Sequence, residues 1–188
     1  PMVFSGVFPI DAADVNGDGR ADLVMGATGG DGLNNGRADS GDVYVVYGKS
    51  SPAATYDLST AANANVRLFG ATSGDLLGRA VTIADFDGDG IGDIVAGAIG
   101  SDPGGNSSAG RVYVVKGASN LAGDKDVATA SNFLVAFNGI DPGDEAGGAV
   151  AGGPFGDGTA APCAACADLL IGAALADGPT ISDLRDGA

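Results

Sequence analysis

The chain is 188 residues long, with 34 glycines and neither histidine nor tryptophan. Without histidine, Ser-His-Asp and Cys-His nucleophile activation are excluded, as is every metal site built on imidazole. The 24 acidic residues outnumber the 9 basic ones for a net charge of −15, so the basic footprint of a nucleic-acid binder is missing. An apolar fraction of 45% is that of a globular chain, and no apolar run reaches the roughly 18 residues of a membrane span. Pro1–Gly6 shows neither a basic region nor a long apolar core, so no signal peptide is read there. An exported protein would then be a processed or truncated chain.

In chain order, the first patterned segment is Asp14–Ala27, DVNGDGRADLVMGA, followed by Gly41–Gly48, GDVYVVYG. Leu68–Val81 then reads LFGATSGDLLGRAV. Asp85–Ala98, DFDGDGIGDIVAGA, and Gly110–Gly117, GRVYVVKG, repeat the first two segments in the same order, a period of about 70 residues. Ala136–Val150, AFNGIDPGDEAGGAV, echoes Leu68–Val81, and Asp168–Ala174, DLLIGAA, is a weaker third copy. Glycine, aspartate and asparagine clusters separate short runs rich in valine, isoleucine and tyrosine, as turns separate strands. In the second unit the predicted strands are Arg79–Ala84, Asp93–Ala98, Arg111–Val115 and Asn132–Phe137. No segment has capped helical periodicity.

Four strands per repeat describe an all-β fold of β-propeller blades, each a four-stranded antiparallel sheet. Blades are expected over 1–67 and 68–135, with a partial blade over 136–188. Propellers close with about four to eight blades. About two and a half blades cannot close a ring alone, so a longer chain, other copies or another subunit is expected to complete it.

The chemical signal is the loop D-x-[DN]-x-D-G-x-x-D. It places Asp14, Asn16, Asp18 and Asp22 in the first unit and Asp85, Asp87, Asp89 and Asp93 in the second. Alternate positions of a tight loop turn short oxygen-bearing side chains toward one centre. Glycine at the sixth position (Gly19, Gly90) permits the bend, and the seventh-position carbonyl (Arg20, Ile91) can add an oxygen. Hard cations such as calcium take six to eight oxygens at about 2.3–2.6 Å, whereas magnesium prefers to keep several waters. Two calcium sites are therefore expected. Metal-free Asp/Gly turns are the alternative, and two in-register copies disfavour it. An EF-hand is disfavoured, because no exit helix and no glutamate at position twelve follow.

In the third unit the loop Gly152–Asp168 is stretched and keeps only Asp157 and Asp168, so no calcium or weak binding is expected there. Cys163 and Cys166 lie within it; a short disulfide staple is favoured over a redox pair. Haem attachment fails at Ala167, and zinc would need two further ligands. Tyr44, Tyr47 and Tyr113 are read as blade packing rather than as a ligand face, and Arg37-Ala38-Asp39 is given no adhesive role.

The aspartate loops, the following DLVMGA and DIVAGA, Phe69-Gly70 and the GD-x-x-G segments resemble FG-GAP repeats, those of integrin α-subunit propellers and many bacterial secreted proteins. The resemblance implies a propeller, usually seven-bladed, with calcium in the hairpin between the first two strands of a blade. Its implied ligands are Asp14, Asn16, Asp18, the Arg20 carbonyl and Asp22, then Asp85, Asp87, Asp89, the Ile91 carbonyl and Asp93. The GAP signature departs at Thr28, Ile99 and Ala174, where proline is missing. The implied function is an extracellular or cell-surface (or periplasmic) calcium-binding module for adhesion, protein or glycan binding, or surface assembly. The alternative is a structural subunit, or a non-catalytic accessory domain of a larger secreted complex or hydrolase. Expected partners are a protein or glycan ligand, or copies completing the ring. Recognition is expected on loops such as Gly29–Ser40 and Ser101–Ala109. No catalytic constellation is read.

Overall fold

The computed structural model describes residues 9–58, 60–153 and 166–176. Its first sheet is built from β1 (Ile10–Ala13), β2 (Asp22–Ala27), β3 (Asp42–Val46) and β4 (Val66–Phe69). The second comprises β5 (Leu77–Ala84), β6 (Asp93–Ala98), β7 (Arg111–Val115) and β9 (Val135–Asn138). Each is a four-stranded antiparallel meander, one propeller blade. A third, two-stranded sheet pairs β10 (Ala146–Gly153) with β11 (Asp168–Ala173).

The fourth strand of blade two lies slightly C-terminal to the predicted Asn132–Phe137, because Ala130–Asn132 forms a 3-10 turn. The fourth strands of the two blades end at Phe69 and Asn138, a few residues beyond the repeat divisions read from the sequence. One strand was not anticipated. β8 (Gly123–Asp126) leaves the blade-two connection and adds to the first sheet, parallel to β4.

The blades stack through their faces. Ile94, Ala96 and Ala98 of β6 and Tyr113 and Val115 of β7 join Val24, Val43, Val45, Val66 and Leu68 in one buried cluster between blades one and two. The alternate residues Val95, Val112 and Val114 face the other way and pack with Val150, Leu169 and Ile171 of the third sheet. This is the period-two alternation of a strand with both faces covered. It accounts for the nearly continuous apolar reading of VYVV and DIVAGA. Each fully buried valine or isoleucine contributes about 1.5–3 kcal/mol.

The glycine of the G-A pair ending β2 and β6 has a packing cause. A Cβ on Gly26 would lie 2.1 Å from the Gly78 carbonyl oxygen, and one on Gly97 would lie 2.0 Å from that of Gly147. Both contacts are with the inner strand of the next sheet. The GD-x-x-G segments recur in detail: Asp75 accepts from the Thr72 amide at 2.9 Å and Asp144 from the Asp141 amide at 3.0 Å.

Candidate metal centre

The two aspartate loops are the hairpin turns β1–β2 and β5–β6. Asp14 organises the first. Its Oδ1 accepts the amides of Asn16, Gly17 and Asp18 at 3.1, 2.6 and 3.3 Å, and its Oδ2 accepts that of Gly19 at 2.7 Å. Asn16 Oδ1 accepts the Asp18 amide and Asp18 Oδ1 the Arg20 amide, each at 2.9 Å. The second loop repeats the pattern. Asp85 accepts Gly88, Asp89 and Gly90 at 2.7, 3.1 and 2.8 Å. Asp87 accepts Asp89 at 3.3 Å and Asp89 accepts Ile91 at 2.9 Å. The predicted bend sits at Gly19 and Gly90, with φ of 80° and 85°. A side chain would be strained there.

Asp22 and Asp93, which open β2 and β6, lie beneath the loops at 1% and 0% exposure. Asp22 accepts the Val15 and Gly48 amides at 3.0 and 2.8 Å. Asp93 accepts those of Phe86 and Gly117, both at 2.9 Å. Each carboxylate thus joins its hairpin to the end of the third strand. Burial pushes both carboxyls above the ordinary range, against the pull of these amides. Asp14 and Asp18 add repulsion at Asp22, and Asp87 adds it at Asp93. At Asp14 burial also acts upward, but four backbone amides outweigh it and hold the carboxyl below its usual value.

Carboxylate oxygens of Asp85, Asp87 and Asp89 all lie within 4.8 Å of one another. A hard-oxygen cluster backed by a buried carboxylate fits the donor chemistry of calcium. The loops differ in their cations. Lys116 donates to Asp87 Oδ2 and, at 2.8 Å, to Asp89 Oδ2. Its hydrogen bonds to Asp87 and Asp89 raise the lysine pKa, and the one to Asp89 lowers that carboxyl. In the first loop Arg20 pairs with Asp18, at 3.3 Å on the exposed side. Ile91 packs beside Gly17, where a Cβ would meet its Cδ1 at 3.0 Å.

Most of the third loop lies outside the described residues, including Asp157 and Cys163. Cys166 is disulfide-bonded, and Cys163 is the only other cysteine of the chain. Asp168 opens β11 as Asp22 and Asp93 open their strands, but it is exposed.

At the opposite end of the first sheet, a cavity of about 540 Å³ lies under the Gly29–Asn35 segment. Asp42, Tyr44, Arg67, Phe69 and Asp124 line it. Asp42 is 5% exposed and accepts the Tyr44 hydroxyl at 3.0 Å. Burial pushes its carboxyl upward. Tyr113 is buried in the cluster between the blades, whereas Tyr44, also buried, lines the cavity. Tyr47 donates its hydroxyl to the Leu121 carbonyl.

Sequence reasoning missed Lys116, because it lies outside the aspartate loop. Aligning GRVYVVKG with GDVYVVYG exposes it as a charged residue where the first unit has Tyr47. It also missed Arg37, which grips Asp126 of β8 through both terminal nitrogens at 2.8 and 2.7 Å.

Among the described residues no helix is long and apolar enough to cross a membrane. The chain is similar to phosphatidylinositol-glycan-specific phospholipase D of Rattus norvegicus, 36% identical over 106 residues, and of Bos taurus, 37% identical over 108 residues. Each match covers 56% of this chain and 12% of the phospholipase. The chain therefore spans a small fraction of those relatives. The FG-GAP repeat family profile matches residues 10–46 and 77–115, the spans β1–β3 and β5–β7. The chain carries two FG-GAP repeats, each supplying the first three strands of a four-stranded propeller blade.

Proposed function

We propose that this chain is a calcium-stabilised, extracellular propeller module that presents its loops for protein or glycan binding. The observation that carries the reading is the recurrence, in both repeats, of a buried carboxylate, Asp22 or Asp93, beneath an Asp/Asn loop of the same hydrogen-bond pattern, with the carboxylates of Asp85, Asp87 and Asp89 clustered in the second. The first ion would be held by Asp14, Asn16, Asp18, the Arg20 carbonyl and Asp22. Asp85, Asp87, Asp89, the Ile91 carbonyl and Asp93 would hold the second. The charge supplied by an ion offsets carboxylate repulsion, which for one pair at 4 Å is about 4 kcal/mol at an effective dielectric near 20. Extracellular sites of this class bind at about 10⁻⁴–10⁻³ M, so millimolar calcium would fill them. Recognition is assigned to the opposite end of the blades, where the 29–35 segment overhangs a cavity.

Calorimetric titration of the chelator-treated chain tests the metal reading. Calcium at a hundredfold excess over Kd adds about 2.7 kcal/mol of stability per site. At about 2–4 °C per kcal/mol, Tm rises by roughly 5–10 °C for each site filled. No binding heat and an unchanged Tm would overturn it.

The similarity to phospholipase D supports a second reading, a non-catalytic accessory module beside a hydrolase domain. On this reading the purified chain releases no product from a glycosylphosphatidylinositol-anchored reporter. Turnover by the chain alone would refute it.

A further inference from the structure

We propose that Lys116 is the built-in counter-cation of the second loop, and that calcium enters that loop only by displacing it. The inference rests on the calcium reading above.

Lys116 follows β7 directly, and its ammonium bonds the Oδ2 atoms of both Asp87 and Asp89. These are two of the three clustered carboxylates. An ammonium seated there and a cation coordinated by the same oxygens exclude one another. Among the described residues no side-chain cation bridges two carboxylates of the first loop. Tyr47 stands at the corresponding position and turns its hydroxyl to the Leu121 carbonyl. Arg20 meets Asp18 from the solvent side and contacts no other loop carboxylate among the described residues.

The charges follow the same division. Asn16 in the first loop corresponds to Asp87 in the second, so the second loop carries the additional carboxylate. Lys116 bonds that additional group. Lys116 thus offsets the additional carboxylate and leaves each loop with three uncompensated carboxylates, less the exposed Arg20–Asp18 pair in the first. Displacement is physically accessible, because the Lys116 side chain is 44% exposed on a flexible stem and its ammonium can return to water. Calcium must therefore compete with a bridging ammonium in the second loop and only with the exposed Arg20–Asp18 pair in the first.

The test is calcium titration calorimetry of the full chain at low ionic strength, beside K116M and K116R, with melting curves in EDTA. Wild type should show a tighter and a weaker site. K116M should tighten the weaker site about tenfold, the scale of one exposed charge pair, and leave the tighter one unchanged. K116R, which keeps the charge, should retain the weaker site of wild type. In EDTA, K116M should melt several degrees below wild type. Two sites in wild type with K116M unaltered in affinity would overturn the role of Lys116 alone. So would equal melting in EDTA. No calcium heat from any of the three proteins would overturn the calcium reading, and the displacement with it.

Discussion

The amide of Gly92 donates to the carbonyl oxygen of Asp14 at 2.8 Å. Gly92 immediately precedes Asp93, so this bond ties the second aspartate loop to the first residue of the preceding one. The link recurs one unit later, where the Ala167 amide reaches the Asp85 carbonyl at 2.6 Å. The Ala118 amide adds a third tie, to the Val15 carbonyl at 3.1 Å. The aspartate loops therefore form a hydrogen-bonded chain along one end of the blades.

Asp14→Ala tests this chain. It removes the acceptor of four loop amides, so about 2–3 kcal/mol of stability should be lost even without metal. Hydrogen exchange should quicken at residues 16–19 and also at Gly92, in the neighbouring unit. Faster exchange confined to residues 16–19 would show that the loops are independent.

Blade stacking makes a separate demand. Gly26 has no room for a methyl group, because the Gly78 carbonyl would stand 2.1 Å from it. Gly26→Ala should therefore cost about 3 kcal/mol or more, since backbone must move. Gly29→Ala is the control: nothing lies within 4 Å of its Cβ position, and its effect should stay within about 0.5 kcal/mol. Urea denaturation of both variants measures the difference. Equal stabilities would mean that blades one and two do not meet at Gly26.

The strands were legible because every device that defines them is local. VYVV and DIVAGA announce buried strands, and the aspartate-glycine runs announce the turns between them. The loops were legible for the same reason, down to the bends at Gly19 and Gly90. β8 was not. Its sequence, Gly-Asp-Lys-Asp, has no apolar alternation, and it pairs parallel with a strand of the preceding blade. Its side-chain anchors, Arg67 to Asp124 and Arg37 to Asp126, join residues far apart in the chain. A strand held by backbone pairing and long-range ion pairs leaves no periodic trace. Lys116 escaped for a related reason: its partners lie across the sheet rather than in its own segment.

The Arg37–Asp126 clamp yields a prediction with a definite pH dependence. Both side chains are mostly buried, at 28% and 17% exposure, and Arg37 Nη1 also reaches the Gly70 carbonyl at 2.7 Å. The hydrogen bond from Arg37 is the leading cause that holds the Asp126 carboxyl below its ordinary value. A carboxyl depressed by folding stabilises the native state above its unfolded pKa, about 3.9, and that contribution disappears as pH falls through the folded value. Asp126→Asn keeps the shape and removes the charge. Near neutral pH it should cost about 1–3 kcal/mol, because a bidentate ion pair becomes a single hydrogen bond from the guanidinium to a neutral amide oxygen. Below about pH 4 wild type progressively loses the same interaction, so the two denaturation midpoints should converge. The convergence is specific to the clamp, since the other carboxylates titrate equally in both proteins. A gap of constant size from neutral to acid pH would mean that the Asp126 charge does not hold β8 to the first blade.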